Sequence, residues 1–359
     1  MIPHDKLFSP GPVEVSPKTF EAFSRPMIGH RGEAFKKLYR DIHPKLQTLF
    51  GTKQPVFLST SSAWGVMEAS IRNLVGKRVL CCMCGAFSDK WLDVAKRCGK
   101  EAEPLRVDWG KHIDHKDVDL AVASGKFDTV TLIHNETSTG VMNPLPEICG
   151  VLAKYPDVLL IVDTVSSFSA LKIDTDALGI DVMLTGAQKA LALPPGFSLF
   201  AVSEKAFARA GTIPNRGYYF DFLEFKKQQG EWMTPSTPSI GHIFALQSKL
   251  DEILEEGLEA RFSRHVRTNA LVHAWVRRVG FDFFAEEGFL SKTLTCVKNN
   301  RIVDVLAMAK KLREKHHLVI DPGYGKLKGQ TFRLSNMGDE TEETVSHLLA
   351  CLDDCLPNR

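Results

Sequence analysis

Short apolar runs typical of strands alternate with helical patterns along much of this chain, and that alternation limits the folds it can adopt. The strand-like runs are residues 78–83, 129–133, 158–162 and 182–184, and the helical patterns among them are residues 88–98 and 146–154. Strands that alternate with helices at this spacing predict a mostly parallel sheet with helices on both faces. Ligands of such sheets bind outside the carboxyl ends of the strands, so the residues after each strand are candidate site residues.

The length of 359 residues exceeds the usual size of a single hydrophobic core, which predicts two domains. Beyond Pro238 the pattern changes to a long, charged helical stretch at residues 241–279, and short strand candidates then alternate with helices. We place the boundary near residue 245. The prediction is a large domain at residues 1–245, which includes the N-terminal arm, and a small C-terminal α/β domain at residues 246–359.

Composition argues against several classes of protein. The 45 basic and 43 acidic residues nearly balance and form no long block of either sign, which favours a small-molecule partner over nucleic acid or an anionic membrane. The eight cysteines show no paired zinc-ligand spacing with nearby histidines, so we predict reduced core thiols and no metal site. Asp5 and Pro10 lie where a signal peptide would be apolar, and no apolar run of about 18 residues occurs, so we expect a cytoplasmic protein.

Residues 181–196 carry the lysine on which the functional interpretation depends. The apolar run at residues 182–184 ends at Thr185 and Gly186, which places Lys189 in a turn beyond the end of a strand. Its neighbours are small and apolar, and no adjacent carboxylate would pair with it at the surface. Burial lowers the pKa of such an amine, and a free amine is what Schiff-base chemistry requires. A solvated turn lysine is the alternative, and residues elsewhere have to decide between the two.

A strand-like run at residues 56–58 leads into the hydroxyl-rich residues 59–62 and then into a helical pattern. Unpaired backbone amides and the positive end of the helix dipole would face one point there, which suits a phosphate. The glycines and the lysine of a nucleotide P-loop are absent, so a nucleotide is not predicted. A serine-rich helix cap without a ligand is the alternative.

Asp163 follows the five apolar residues 158–162 and so brings a carboxylate to the ligand edge of the sheet, unless it only caps the next turn. Phe87 adds an aromatic ring after another strand. An anion loop, an amine, a carboxylate and an aromatic ring at strand ends are the parts of a site for pyridoxal 5'-phosphate (PLP). The amine holds the aldehyde, the carboxylate keeps the pyridine nitrogen protonated, the ring stacks, and the helix N-terminus takes the phosphate. The presence of all four groups at strand ends favours a functional role for Lys189 over a solvated turn lysine.

Several short motifs also stand in a specific order and spacing along nearly the whole chain. They are Phe8-Ser9-Pro10-Gly11-Pro12, Gly29-His30-Arg31, Asn135-Glu136-Thr137-Ser138-Thr139-Gly140, Val162-Asp163-Thr164-Val165-Ser166-Ser167, Gly186-Ala187-Gln188-Lys189-Ala190-Leu191 with Pro194-Pro195-Gly196, and Thr331-Phe332-Arg333. In these motifs the chain resembles the class V PLP-dependent aminotransferases of fold type I, and within them the alanine/serine–glyoxylate and phosphoserine aminotransferases. The resemblance implies an α/β fold with a large domain, whose mostly parallel sheet has seven strands, and a small C-terminal domain. It also implies a homodimer with the active site at the subunit interface.

The resemblance implies roles for particular residues. Lys189 would be the Schiff-base lysine and proton shuttle, Asp163 the partner of the pyridine nitrogen, and Phe87 the stacking ring. Thr137 would bind the phenolic oxygen of the cofactor, and Arg333 the substrate carboxylate. The residues implied to hold the phosphate are Ser62, Ala63, Trp64 and Gln188, with Thr234 or Thr237 reaching over from the second subunit. This chain departs from many relatives by lacking a glycine in the phosphate loop and by having Phe87 where tryptophan is common.

The function expected first is a PLP-dependent aminotransferase that moves an amino group from serine or alanine to glyoxylate or pyruvate. His30 and Arg31 resemble the second anion clamp of phosphoserine aminotransferases, so a phosphoserine:2-oxoglutarate aminotransferase is the alternative, followed by a 2-aminoethylphosphonate aminotransferase. A cysteine desulfurase or lyase is less expected, because Gln188 stands where those enzymes have a histidine and Cys296 lies in a strand-like run. A non-catalytic binding protein of the same fold is the last alternative.

Overall fold

The structure, a computed structural model, describes residues 4–356 of the chain. Its β-strands are β1 (Lys6–Leu7), β2 (Val56–Ser59), β3 (Arg78–Met83), β4 (Glu101–Arg106), β5 (Thr129–Ile133), β6 (Asn135–Glu136), β7 (Val141–Met142), β8 (Leu159–Asp163), β9 (Val182–Gly186), β10 (Ser198–Val202), β11 (Asp282–Phe283), β12 (Leu294–Lys298), β13 (Leu318–Val319) and β14 (Thr331–Ser335). Its α-helices are α1 (Pro17–Phe23), α2 (Glu33–Phe50), α3 (Ala63–Leu74), α4 (Ala86–Arg97), α5 (His115–Val122), α6 (Leu145–Leu152), α7 (Glu204–Thr212), α8 (Phe222–Gly230), α9 (Ile240–Glu256), α10 (Leu258–Val279), α11 (Val305–His316) and α12 (Glu342–Cys355). No helix in the described range is long and apolar enough to cross a membrane.

The central sheet has seven strands in the order β2-β10-β9-β8-β5-β3-β4. All of them run parallel except β10, which is antiparallel to both of its neighbours. The residues of β5, β8, β9 and β10 are all buried, and near-continuous apolar runs are what strands covered on both faces require. The predicted α/β fold with a mostly parallel seven-stranded sheet is confirmed.

Helices cover both faces of this sheet, because successive side chains of a strand point to opposite sides. In β3, Leu80 and Cys82 pack into one core, beneath α2, α5, α6 and α9. Val79 and Cys81 pack into the other core, beneath α3, α4, α7 and α8. All eight cysteines of the chain are free thiols and seven of them are buried, in line with the core role predicted for them.

The small domain is built on a three-stranded antiparallel sheet, β11-β12-β14, which α10, α11 and α12 cover. The N-terminal arm joins this domain, because β1 pairs in parallel with β13, with Lys6 opposite Leu318, and Phe8 is buried in the same core. The arm therefore belongs, at these residues, with the small domain and not with the large one as predicted. The apolar side chain of Phe8 decides this, since it is buried only there.

The division between the two cores lies at Gly257. Helix α9 buries Ile243, Leu246 and Leu250 in the large-domain core, so the predicted boundary near residue 245 would cut through a helix of that core. Gly257 ends α9 with φ 85°, a backbone conformation that favours glycine, and α10 begins at the next residue. In the sequence both helices form one charged stretch, and only their contacts show which core each one joins.

Two strands of the central sheet were not predicted from the sequence pattern. β4 is a half-exposed edge strand with charged residues and Pro104, so it lacks the apolar run of a buried strand. β10 is apolar but follows β9 with no helix between them, which breaks the alternation on which the prediction depends. Both strands are recognised only from their hydrogen-bonded neighbours in the sheet.

Candidate active site

A cavity of about 310 Å³ lies at the carboxyl ends of the central strands, and the N-terminal arm and the small domain also contribute to its wall. β5, β8 and β9 are neighbours, with Ile133 beside Asp163 and Asp163 beside Leu184, so their ends open onto one point. The predicted site residues that line the cavity are Ser62, Ala63, Trp64, Phe87, Thr137, Asp163, Gln188 and Lys189. Residues far apart in the sequence thus share one cavity, where the strand ends predicted a ligand site.

Lys189 lies in the turn after β9 and is 9% exposed. Burial, with a smaller contribution from the Arg333 charge, lowers the pKa of its amine to about 8. The amine donates a hydrogen bond to the carbonyl of Pro10 in the N-terminal arm. The next residue, Gly11, has φ 124°, and a Cβ there would lie 2.6 Å from Lys189 Cδ, so only glycine lets the arm approach this closely. The structure therefore keeps a partly unprotonated amine in the cavity near neutral pH.

Asp163 ends β8 and is 3% exposed. The amide of Val165 donates to one of its carboxylate oxygens at 2.8 Å. Burial raises the pKa of this carboxyl to about 7, against the opposite effects of that hydrogen bond and of the Lys189 charge. A protonated ring nitrogen placed against Asp163 would lower its pKa again, so a buried cation of this kind suits the carboxylate.

The start of helix α3 forms the anion-binding end of the cavity. Its N-cap residue, Ser62, makes no side-chain cap hydrogen bond, and the amides of Ala63 and Trp64 donate to no acceptor among residues 4–356. Free amides at the positive end of a helix are a ready site for a phosphate. Gln188 lines the same cavity, where its side-chain NH₂ group, and not its oxygen, can donate to an anion. Its buried Oε1, an acceptor, has no partner within the described range. Buried polar atoms without partners are rare, so their presence here indicates a ligand site.

Phe87 and Thr137 are held by a buried carboxylate that sequence reasoning missed. Glu136 is fully buried and accepts a hydrogen bond from the Ser88 amide at 2.8 Å. It thereby ties the start of α4, which carries Phe87, to the segment that carries Thr137. No sequence pattern points to Glu136, because its close contact with Gly85, where a Cβ would lie 2.4 Å from Glu136 Cγ, exists only in the folded chain.

Arg333 comes from β14 of the small domain and is 4% exposed. Its guanidinium binds Asp321 through Nε at 2.9 Å and Nη2 at 2.8 Å. Nη1 donates to the carbonyl of Thr137 at 2.9 Å. Thr137 lines the cavity, and Arg333 lies behind it and not in the lining itself. Tyr324 lines the cavity and stacks on Phe87, with ring centroids 4.8 Å apart. Sequence reasoning missed Asp321 and Tyr324, because only the path of their loop brings them to Arg333.

Some predicted residues lie away from the cavity of this chain. His30 is half-buried and Arg31 is exposed, in the turn before α2. Thr234 is buried and donates to the carbonyl of Ser236 at 2.7 Å, whereas Thr237 is exposed. Thr234 and Thr237 were expected to act across a subunit interface, and this stays a prediction, as does the anion clamp of His30 and Arg31.

Cys296, the cysteine of the desulfurase alternative, is 2% exposed in β12. Burial raises the pKa of its thiol to about 12, so almost none of it is thiolate near neutral pH. A nucleophilic cysteine needs the opposite, an accessible thiol with a lowered pKa. The geometry therefore gives a desulfurase mechanism no support.

Comparison with known proteins agrees with this geometry. The family model described as Aminotransferase class-V matches residues 18–287. A relative from Methanocaldococcus jannaschii, described as an uncharacterized aminotransferase, is 37% identical over 97% of this chain and 91% of its own length. The serine–glyoxylate aminotransferase of Arabidopsis thaliana is 32% identical over 96% of this chain and 88% of its own length.

Solved structures show the same fold. The crystal structure of an alanine–glyoxylate aminotransferase from Nostoc sp. matches with a TM-score of 0.93 at 29% identity, and the match covers 99% of this chain and 96% of that one. The fold type I architecture and the enzyme class predicted from the sequence are both confirmed. The chain belongs to the class-V aminotransferase family, and it is a transaminase.

Proposed function

We propose that this protein is a PLP-dependent aminotransferase that transfers an amino group from a small amino acid, serine or alanine, to a 2-oxo acid such as glyoxylate or pyruvate. The observation that carries the proposal is the convergence of Lys189, Asp163 and the open N-terminus of α3 on one cavity. The choice of substrates is supported by the relatives, which include a serine–glyoxylate and an alanine–glyoxylate aminotransferase.

PLP fits the groups that line the cavity. The free amides at the start of α3, with Ser62 and Gln188, would hold its phosphate, and Asp163 would pair with its pyridine nitrogen. Phe87 would stack on the ring, and the Thr137 hydroxyl would bind the phenolic oxygen. When bound, PLP supplies an aldehyde that joins to amines and a ring that accepts the electrons released at the substrate Cα.

Lys189 and Arg333 then act on the substrate. With its pKa lowered to about 8, the Lys189 amine is partly unprotonated near neutral pH. With PLP bound, it would move the proton of the substrate Cα to the C4′ carbon of the cofactor. Arg333 binds the substrate carboxylate, because a planar guanidinium offers parallel N–H groups that a carboxylate accepts. Donor and acceptor use this one site in turn, which gives ping-pong kinetics.

The proposal includes a homodimer. Thr234 or Thr237 of a second copy would complete the phosphate site, and the exposed Arg31, with His30, would lie at the same subunit interface. The protein would work in the cytoplasm, since free cysteines such as those of this chain persist in a reducing compartment.

Phosphoserine and 2-aminoethylphosphonate are the alternative donors. Phosphoserine carries a phosphate in addition to its carboxylate, and 2-aminoethylphosphonate carries a phosphonate in place of one. Within residues 4–356, the candidate clamp formed by His30 and Arg31 does not line the cavity that holds Lys189. A phosphate clamp would therefore have to come from the partner subunit, whereas serine and alanine need only Arg333.

A half-reaction screen tests the proposal. The purified protein, reconstituted with PLP, is mixed separately with serine, alanine, phosphoserine and 2-aminoethylphosphonate, and the visible absorbance of the bound cofactor is followed. We expect serine or alanine to bleach this absorbance and glyoxylate or pyruvate to restore it. Bleaching by phosphoserine or the phosphonate alone would overturn the choice of substrate, and a protein that gains no visible absorbance with PLP would overturn the cofactor.

A further inference from the structure

One carboxylate holds the edge of the Arg333 guanidinium. Asp321 Oδ1 accepts from Nε at 2.9 Å and Oδ2 pairs with Nη2 at 2.8 Å, which is the two-bond geometry of a guanidinium with a carboxylate. The backbones of the two residues form an antiparallel bridge, in which the Arg333 amide donates to the Asp321 carbonyl at 2.8 Å. The carboxylate is itself fixed, because the Gly323 amide donates to Oδ1 at 2.8 Å.

Two further contacts hold the other parts of Arg333. Nη1 donates to the carbonyl of Thr137 at 2.9 Å, and the Tyr324 ring centroid lies 5.3 Å from Cζ, within range of a cation–π contact. Tyr324 also stacks on Phe87. Because Thr137 and Phe87 are the residues proposed to contact the cofactor, the orientation of Arg333 is tied to the cofactor site.

These contacts leave part of the guanidinium free. An arginine side chain has five N–H donors, of which Asp321 and the Thr137 carbonyl take three. The remaining two, one on Nη1 and one on Nη2, meet no acceptor in the described part of the chain. A carboxylate can accept from both nitrogens in two parallel bonds.

We propose that Asp321 is a positioning residue for substrate recognition, which holds Arg333 so that these two N–H groups face the carboxylate of the amino donor and of the 2-oxo acid. The inference rests on the proposed function, in which Arg333 binds that carboxylate. Asp321 does not touch the substrate. It occupies the Nε edge of Arg333, so that an incoming carboxylate has one remaining edge to bind, and it balances the charge of a buried arginine when the site is empty.

Kinetics of Asp321→Ala and Asp321→Asn test this role. A misdirected Arg333 binds every substrate carboxylate less well, so in Asp321→Ala we expect KM for serine and glyoxylate to rise about tenfold while kcat stays within about twofold. Asp321→Asn keeps one acceptor oxygen, so its KM should lie between the values of the wild type and of Asp321→Ala. It serves as the test variant if the alanine variant does not fold. A spectral titration of the PLP-bound enzyme with propionate, which has no amino group to donate, should show the same loss of affinity without turnover.

A donor without a carboxylate separates positioning from a general loss of structure. The half-reaction rate with 2-aminoethanol, which is serine without its carboxylate, should be the same in the wild type and in Asp321→Ala. Asp354→Asn removes another carboxylate of the small domain, paired with Lys315 at 2.7 Å, and as the matched control it should change neither KM nor the propionate Kd. An equal loss for serine and 2-aminoethanol, or an unchanged KM for serine in both Asp321 variants, would overturn the inference.

Arg333→Lys distinguishes a failure of this inference from a failure of the proposed function. If Arg333→Lys raises KM for serine and the Asp321 variants do not, Arg333 binds the carboxylate and only the positioning role is wrong. If Arg333→Lys leaves KM for serine unchanged, the proposed substrate site is wrong, and the positioning role of Asp321 is then wrong too.

Discussion

At the residue scale, the site contains an amine and a carboxyl whose charged forms burial disfavours. Burial lowers the pKa of Lys189 to about 8. Above its ordinary pKa of 10.5 the amine is neutral and costs the folded state nothing, and the cost of a buried charge is fully present once pH has fallen through 8. Burial raises the pKa of Asp163 to about 7. Below its ordinary pKa of 3.8 the carboxyl is neutral and costs the folded state nothing, and the cost of a buried charge is fully present once pH has risen through 7. Near pH 7 to 8 the cofactor-free protein is therefore destabilised by both buried groups. A ligand that bonds to the amine and pairs with the carboxylate would remove both costs.

Replacing Lys189 by methionine should therefore stabilise the cofactor-free protein near pH 7. The gap between 10.5 and about 8 corresponds to about 3 kcal/mol, and loss of the hydrogen bond to Pro10 offsets about 1 kcal/mol, so we expect a gain of about 2 kcal/mol. Urea unfolding from pH 7 to pH 10 checks this, because the gain should shrink as pH rises. Lys116→Met, at an exposed position, should stay within about 0.5 kcal/mol of the wild type. A Lys189→Met protein less stable than the wild type at pH 7 would contradict the argument.

Asp163→Asn should slow the half-reaction with the amino donor by about 100-fold or more, because a neutral amide cannot hold the pyridinium proton. Single-turnover rates, followed by stopped-flow absorbance with PLP bound, measure the effect. Asp157→Asn, at an exposed carboxylate, is the control and should leave the rate unchanged. Wild-type single-turnover rates in Asp163→Asn would reduce Asp163 to a residue that caps the turn after β8.

At the element scale, the position of α4 depends on the contact between Gly85 and Glu136. Gly85 has φ 179°, which any residue can adopt, so a substitution there is opposed by contact alone. In Gly85→Ala the new Cβ would lie 2.4 Å from Glu136 Cγ. Either the carboxylate or the start of α4, with Phe87, has to move.

We expect Gly85→Ala to lower the free energy of unfolding by about 1 to 3 kcal/mol, which is the usual effect of overpacking, and to weaken PLP binding. Chemical unfolding and equilibrium dialysis with PLP measure the two effects. Gly150→Ala is the matched control, because Gly150 lies in α6 with nothing within 4 Å of its added Cβ, and alanine there should stabilise by about 0.5 kcal/mol. Equal behaviour of the two variants would show that the Gly85 contact is not needed.

At the scale of the whole molecule, buried cations join the two domains. Lys249 of α9 is fully buried and pairs with Asp339 of the small domain at 2.7 Å. Arg261 of α10 is 2% exposed and donates to the carbonyls of Ser169 at 3.0 Å and Ala190 at 2.6 Å. Because Ala190 follows Lys189, the attachment of α10 also holds the turn that carries Lys189.

Arg261→Met should lower the free energy of unfolding by about 3 kcal/mol, because it leaves the carbonyls of Ser169 and Ala190 without their donor and Glu256 without one of its cations. Urea unfolding measures the change. Arg267→Met, on the same helix, breaks an exposed pair with Glu342 and should cost less than about 1 kcal/mol. Losses of the same size in both variants would contradict a structural role for the buried contacts.

The sequence by itself determined the fold class and which strand ends meet at the candidate site. Burial on both faces requires continuous apolar strands, so the alternation of such runs with helices predicts a parallel sheet. The carboxyl ends of parallel strands share one edge, so residues after separate strands were predicted to meet, as Phe87, Thr137, Asp163 and Lys189 do. These inferences succeed because they depend on local periodicity and on the position of a residue relative to its own strand.

Only the tertiary structure decided which residues distant in the chain support that site. Asp321 reaches Arg333, and Glu136 reaches the start of α4, through loop paths that no local pattern encodes. The division at Gly257 and the pairing of the N-terminal arm with β13 depend on which core buries α9 and Phe8. Burial is a sum of apolar contacts over the whole molecule, and a single segment of sequence does not contain that sum.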